Sequence, residues 1–153
     1  MHEQDIRPTV GRLAQEAPTP GLLFYIRSAG TDARLLEVAG DGVGSVGYAL
    51  ETLRRDPDVF ARTLNADDLM RLRRATEALE PGREVTLDYR VPMPEGGTRW
   101  VRDTFRPRIG RPGQVVGCLR DVSLERSLRR QIAALEDRIW RSQRMDTLGA
   151  VAA

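Results

Sequence analysis

Three neighbouring strand-like stretches, of which the first alternates strictly between apolar and polar residues, constrain the fold more than any other feature of this sequence. In the first stretch every second position is apolar: Val85, Leu87, Tyr89 and Val91. A period of two places these side chains on one face of a β-strand. The three predicted strands are Val85–Val91, Thr98–Arg106 and Gln114–Val122. Because only short, glycine-containing loops separate them, the sequence predicts an antiparallel meander.

Two further strands and two helices are predicted before this meander. The strands, Leu22–Arg27 and Leu35–Ala39, are separated by a turn that contains glycine and aspartate. A short helix is predicted at Tyr48–Arg55, and a longer one begins after Asn65, a good N-cap, and ends before Pro81. Together these elements predict an α+β fold, a five-stranded antiparallel sheet that carries its helices on one face.

The chain is predicted to have three parts. Residues 1–20 form an N-terminal extension with a short helix at Thr9–Glu16, which Pro18 ends. Residues 21–123 form the α+β domain. Residues 124–153 form a long helix. Ser123 can cap its start, and Glu125 lies in the first turn, where a negative charge interacts favourably with the helix dipole.

The long helix carries a narrow apolar stripe. Its members, Leu128, Ile132, Leu135 and Ile139, are spaced alternately by four and three residues, and we call them the heptad seam. This d-a-d-a spacing is typical of a coiled coil, so we expect a homodimer. The next d position is Ser142, and the apolar series resumes at Met145, six residues after Ile139 where a heptad needs seven. The register therefore slips near Ser142.

Composition excludes several classes of function. The 24 basic residues, all arginine, are interleaved with 22 acidic ones, whereas a nucleic-acid surface needs basic residues concentrated on one face. No stretch approaches the roughly 18 apolar residues of a membrane span, and the N-terminus has no secretory pattern. His2 and Cys118 are the single histidine and cysteine, so no metal site and no nucleophile–histidine pair is predicted. A single cysteine cannot form an internal disulfide, and the chain is therefore expected to be cytoplasmic.

A glycine-rich segment allows an alternative interpretation. Gly42, Gly44 and Gly47 match the Gly-x-Gly-x-x-Gly fingerprint of dinucleotide-binding enzymes, and Asp67 follows about 20 residues later. That fingerprint functions only in a parallel strand–helix–strand unit, whereas the later strands indicate a meander. A tight strand-to-helix turn is the favoured interpretation, and a small nucleotide-binding enzyme is the alternative.

The order of several short motifs resembles that of the PAS sensory family. From Pro20 to Ser123 these motifs are Gly47-Tyr48, Asp56-Pro57, Phe60, Asn65-Ala66-Asp67-Asp68, Tyr89-Arg90-Val91, Arg99-Trp100-Val101 and Asp121-Val122-Ser123. The last of them is similar to the Asp-x-Ser/Thr motif that ends a PAS domain. The chain departs from the family at Asn65-Ala66, where His-Pro is common. The resemblance implies a PAS-like sheet and a sensory module without catalytic residues.

The resemblance also implies roles for particular residues. Asp121, Val122 and Ser123 would couple the sheet to the long helix, with Asp121 accepting a bond from an arginine on a neighbouring strand. Tyr89, Trp100, Phe105 and Arg90 are candidates for lining a ligand pocket, although core packing explains the aromatic residues as well. No cofactor is predicted firmly, and a small-molecule ligand of unknown identity is left open.

The end of the sequence resembles the start of a histidine-kinase dimerisation helix. The residues that carry this resemblance run from Arg144 to Ala153, and in that family they precede the phosphoacceptor histidine by a few residues. The resemblance implies a sensor histidine kinase whose ATP-binding and phosphotransfer parts lie beyond Ala153, with a response regulator as partner. The alternative is a ligand-free PAS dimerisation module that serves another output, such as a cyclic-dinucleotide enzyme.

Overall fold

The computed structural model describes residues 19–152, and side chains as far as Gly149. The helix predicted at Thr9–Glu16 lies outside this range. The strands are β1 (Leu22–Ser28), β2 (Leu35–Gly40), β3 (Val85–Pro92), β4 (Thr98–Pro107) and β5 (Gln114–Asp121). The helices are α1 (Gly42–Val46), α2 (Leu50–Arg55), α3 (Val59–Thr63), α4 (Ala66–Glu77) and α5 (Ser123–Ala152). The chain divides into two compact units, one ending at Asp121 and the other beginning at Val122.

The five strands form one antiparallel sheet in the order β2-β1-β5-β4-β3. The last three strands are neighbours and form the predicted meander. β5 lies at the centre, between β1 and β4, and the long connection from β2 to β3 carries the four shorter helices. The predicted α+β fold with an antiparallel sheet is confirmed. The parallel unit that the dinucleotide-binding interpretation requires is absent from the part of the chain that the structure describes.

One face of the sheet forms the core with α1–α4. Tyr25, Val101, Phe105 and Leu119 are among the buried residues that the strands contribute. The helices and the residue that follows α3 contribute a second set to the same cluster: Val46, Leu53, Phe60, Leu64 and Leu72. Burial alternates along β4, because Val101, Asp103 and Phe105 are buried and the residues between them are not. This alternation determines which side chains reach the interior.

The helices before α4 differ from the prediction of one helix at Tyr48–Arg55. The glycine-rich segment itself forms α1, whose first turn is capped by the Asp41 carboxylate, and Gly47 ends it in the left-handed conformation. The second helix then begins at Leu50. The third, at Val59–Thr63, was not predicted, because five residues are too few to show a helical period.

The start of α4 confirms the predicted cap and adds a contact to the sheet. The Asn65 side chain accepts the Asp68 N–H at 2.9 Å. Asp68 is 2% exposed, and its carboxylate accepts the backbone N–H of Arg90 on the edge strand β3 at 3.1 Å. A buried carboxylate thus satisfies one hydrogen-bond donor of the sheet edge, a group that would otherwise be open to pairing with another chain.

The second unit is a continuous helix. α5 has 30 residues and runs without a break through Ser142, where the apolar register slips. The four residues of the heptad seam are between 48 and 58% exposed within the single chain. No helix among residues 19–152 is long and apolar enough to cross a membrane.

Candidate functional site

A buried carboxylate is the centre of the candidate site. Asp103, on β4, is 1% exposed. One of its oxygens accepts the Tyr25 hydroxyl at 2.6 Å, and the other accepts the Tyr89 hydroxyl at 2.8 Å. Tyr25 lies on β1 and Tyr89 on β3, so Asp103 joins three strands through their side chains. We call Asp103, Tyr25, Tyr89, Arg27 and Thr76 the interior polar cluster.

The cluster depends on an open path across the central strand. Tyr25 on β1 pairs with Gly117 on β5, and Gly117 pairs in turn with Phe105 on β4. A β-carbon added at Gly117 would lie 2.5 Å from the Tyr25 hydroxyl and 2.8 Å from the Phe105 β-carbon. Because Gly117 has no side chain, the Tyr25 ring crosses β5 and reaches Asp103.

Arg27 is the buried positive charge of the cluster. It is 2% exposed, and its guanidinium carbon lies 4.9 Å from the centre of the Phe105 ring and 5.8 Å from that of Tyr25. Its Nη2 donates to Thr76 Oγ1 on α4 at 2.9 Å. Its Nε is buried without a hydrogen-bond acceptor. Two ring faces, the Thr76 hydroxyl and the Ser28 carbonyl, which accepts from Nη1 at 3.2 Å, therefore contact this cation.

Burial raises the pKa of Asp103 from its ordinary value of 3.8 to about 6. Burial has the largest effect, and the charge of Arg27 and the two tyrosine hydroxyls oppose it without cancelling it. The cross-strand neighbours of Asp103 are Leu119 and Leu87, both apolar. The pKa values of both tyrosines are well above 10.0, chiefly through burial. Asp103 is thus the group of the cluster that can exchange a proton near neutral pH.

The structure separates the four residues predicted to line a pocket. Tyr89 and Phe105 lie on the interior face, whereas Arg90 and Trp100 occupy the intervening positions and lie on the other face. There the Arg90 guanidinium carbon is 5.8 Å from the centre of the Trp100 ring. A cavity of about 80 Å³ lies elsewhere, beside β2 and α2. None of the four lines this cavity: its lining residues include Leu35, Val38, Leu53, Arg54 and Pro57.

Asp121, Val122 and Ser123 lie where β5 ends and α5 begins. The Asp121 carboxylate is 3.7 Å from Arg99 Nε, on the neighbouring strand β4. Ser123 is the first residue of α5, and the first hydrogen bond of that helix runs from the Arg126 N–H to the Val122 carbonyl at 2.9 Å.

Several residues of the site were not predicted from the sequence, although the sequence contains a signal for some of them. The alternation that places Val101 and Phe105 on one face also places Asp103 there, whereas the residues before Arg27 in β1 are all apolar and show no alternation. The sequence therefore indicates that the charged residue Asp103 occupies an inward-facing position of β4. By contrast, the contact of Arg99 with Asp121 depends on how β4 aligns with β5, which the alternation does not specify.

Comparison with known proteins identifies the fold. A family model described as the PAS fold matches residues 39–119, more than half of the 153 residues. A sensory box histidine kinase/response regulator from Burkholderia thailandensis is 20% identical with a TM-score of 0.60, and the match covers 86% of this chain and 98% of that one. No curated protein sequence matches the chain.

Two further solved structures extend the comparison. A domain named after a light and redox sensing histidine kinase from Haloarcula marismortui is 21% identical, with a TM-score of 0.55 and coverage of 73% of this chain and 98% of that one. The N-terminal domain of a diguanylate cyclase with a PAS/PAC sensor from Marinobacter aquaeolei is 17% identical, with a TM-score of 0.54 and coverage of 69% and 98%. At these sequence identities the comparisons show a shared fold and do not extend to function.

Proposed function

This chain belongs to the PAS-fold family, and from that premise we propose that it is a sensory input module whose output element is α5. The observation that carries the proposal is the direct continuation of the central strand into a long helix with an exposed heptad seam. We expect the module to have a sensory role and no catalytic one. A change in the sheet would reach α5 through Asp121, Val122 and Ser123, with Arg99 as the arginine that holds Asp121.

We propose autophosphorylation of a histidine kinase as the controlled activity. The resemblance of Arg144–Ala153 to the start of a kinase dimerisation helix supports this output, as does the fold that the chain shares with structures from two histidine kinases. In such a kinase, ATP and a response regulator would bind to other domains. A cyclic-dinucleotide enzyme is the second candidate output, because one solved structure of the same fold comes from a diguanylate cyclase.

The proposed mechanism is a shift between two arrangements of paired α5 helices. The register slip near Ser142 reduces the energy difference between two alignments of the seam, because neither alignment satisfies every apolar position. A signal that favours one state of the sheet would then select one alignment. Fusing residues 1–153 to the catalytic part of a histidine kinase, and separately to that of a diguanylate cyclase, tests which output the helix controls.

We predict that Leu135→Asp converts a dimer into monomers. Leu135 is 55% exposed in the single chain and occupies a d position, where a pair of carboxylates would lose apolar contact and repel each other. Sedimentation equilibrium of the 153-residue chain measures the mass. Ala134→Asp is the matched control, since it adds the same charge at the neighbouring c position, outside the seam. An unchanged dimer mass for Leu135→Asp would place the interface elsewhere.

A native mass spectrum tests whether the module captures a ligand. We expect a dimer, and extra mass that disappears on denaturation would identify a bound small molecule. A dimer of bare chains would favour signal transmission without a ligand. A bare monomer would contradict the proposed dimer.

A further inference from the structure

Five residues at one end of the sheet form a closed series of polar contacts. They are Gly21, Asp41, Gly44, Arg99 and Asp121, and we call them the polar ring. The Asp121 N–H donates to the Gly21 carbonyl at 3.2 Å, and the Gly21 N–H donates to Asp41 Oδ2 at 2.7 Å. The Gly44 N–H donates to Asp41 Oδ1 at 2.7 Å. Arg99 Nη1 donates to the Gly44 carbonyl at 2.9 Å, and Arg99 Nε lies 3.7 Å from the Asp121 carboxylate.

Each side chain of the ring bridges two elements. Asp41 uses one carboxylate oxygen for the backbone before β1 and the other for α1. These two backbone hydrogen bonds are the main reason why the pKa of Asp41 is lowered from 3.8. Arg99 contacts the carbonyls of Val43 and Gly44 in α1 and also Asp121. The helix α1 is therefore linked to Asp121 by two routes, one through Gly21 and one through Arg99.

The contact between α1 and Asp41 leaves no room for a side chain. A β-carbon at Gly44 would overlap the Asp41 carboxylate. A change at Gly44 must therefore displace either the carboxylate or α1 itself, and both belong to the ring. The glycines that match a dinucleotide fingerprint thus have a different physical role here, close approach of α1 to a carboxylate.

We propose that α1 controls the position of Asp121 through the polar ring, with Asp41 and Arg99 as positioning residues. The inference rests on the proposed function for its biological meaning, because Asp121 directly precedes the output helix. A displacement of α1 withdraws the Gly44 carbonyl from Arg99 and the Gly44 N–H from Asp41. Both routes to Asp121 then change together.

Amide hydrogen exchange, measured by NMR on the labelled 153-residue chain, tests this inference. In Gly44→Ala we expect the Asp121 amide to exchange about tenfold faster, while the Leu119 amide on the same strand keeps its rate. A general loss of stability would accelerate both amides equally, so equal acceleration would overturn the proposal. An unchanged rate at Asp121 would overturn it as well.

A pair of side-chain variants tests the two routes separately. Asp41→Asn places an amide NH₂ against one of two backbone donors, and Arg99→Gln removes the charge opposite Asp121. Because both routes end at Asp121, we expect their effects on its amide exchange to be non-additive. Arg106→Gln, on the exposed side of the same strand, is the control and should add independently to Asp41→Asn. Additive effects of Asp41→Asn and Arg99→Gln would refute the ring as a unit.

These outcomes are separate from those of the proposed function. The exchange measurements need neither a dimer nor an output domain. Failure of the ring test would remove α1 as the controlling element and leave α5 as the proposed output. Failure of the Leu135→Asp test would remove the dimer seam and leave the ring intact.

Discussion

Replacing Gly117 by alanine is expected to lower the free energy of unfolding by about 3 kcal/mol, because it overpacks the interior. The added methyl group would lie 2.5 Å from the Tyr25 hydroxyl, 2.7 Å from the adjacent ring carbon and 2.8 Å from the Phe105 β-carbon. All three atoms belong to buried side chains on rigid strands. Tyr25 must move away from Asp103, and its hydrogen bond to that carboxylate is lost.

Urea unfolding of the purified chain measures this change, and the matched control is another glycine-to-alanine replacement. Gly149 lies in α5, and a β-carbon there would meet nothing within 4 Å. Gly149→Ala should therefore leave stability unchanged or raise it by up to about 1 kcal/mol through helix propensity. Equal stability of the two variants would show that Tyr25 does not cross β5 in this way.

The second large effect is a loss of stability as the pH rises through the pKa of Asp103. The folded-state pKa of about 6 exceeds the ordinary value of 3.8, so the folded protein holds this proton more tightly than the unfolded chain. The stabilisation that protonated Asp103 contributes is fully present below the unfolded-state pKa, and it is lost as the pH rises through the folded-state pKa. The full loss is about 3 kcal/mol, and most of it develops between about pH 4 and pH 6.

Four other aspartates act in the opposite direction and in a lower pH range. The pKa values of Asp32, Asp41, Asp56 and Asp68 are lowered from 3.8, mainly by hydrogen bonds that each accepts. Their stabilisation is present above the unfolded pKa and is lost as the pH falls through the folded values. We therefore expect maximal stability close to about pH 4, with the loss above it belonging to Asp103.

Asp103→Asn tests the assignment. The variant has no proton to lose, so the decrease in stability between about pH 4 and pH 6 should disappear. The measurement is the urea midpoint across this range, with Asp32→Asn as control. Asp32 is exposed and its pKa is lowered, so its replacement should change the urea midpoint only on the acidic side of the stability maximum. A wild-type decrease that persists in Asp103→Asn would assign the titration to another group.

The strands were predictable from local signals, strict alternation in Val85–Val91 and short apolar stretches between turn residues elsewhere. The prediction of the meander needed three such consecutive strands and the two short loops between them. The two shortest helices, Gly42–Val46 and Val59–Thr63, were not predictable in this way, because each is little more than one turn. The contacts that stabilise these helices, such as the hydrogen bond from the Gly44 N–H to the Asp41 carboxylate, do not follow from the periodicity of the sequence.

The candidate site was predictable only in part, because its contacts join residues that are distant in sequence. Tyr89 and Phe105 were expected inside and are buried there, while Arg90 and Trp100 lie on the other face. Asp68 shows the limit most clearly. Its place in the first turn of α4 predicts a favourable dipole interaction, but its contact with the Arg90 backbone depends on β3 being an edge strand.

The length of α5 has a mechanical consequence. A helix of 30 residues is about 45 Å long, at 1.5 Å per residue. If it tilts as a rigid rod, a change of about 5° at Ser123 displaces its far end sideways by about 4 Å. A small angular change at the start of α5 would therefore become a displacement of several ångströms at Ala152.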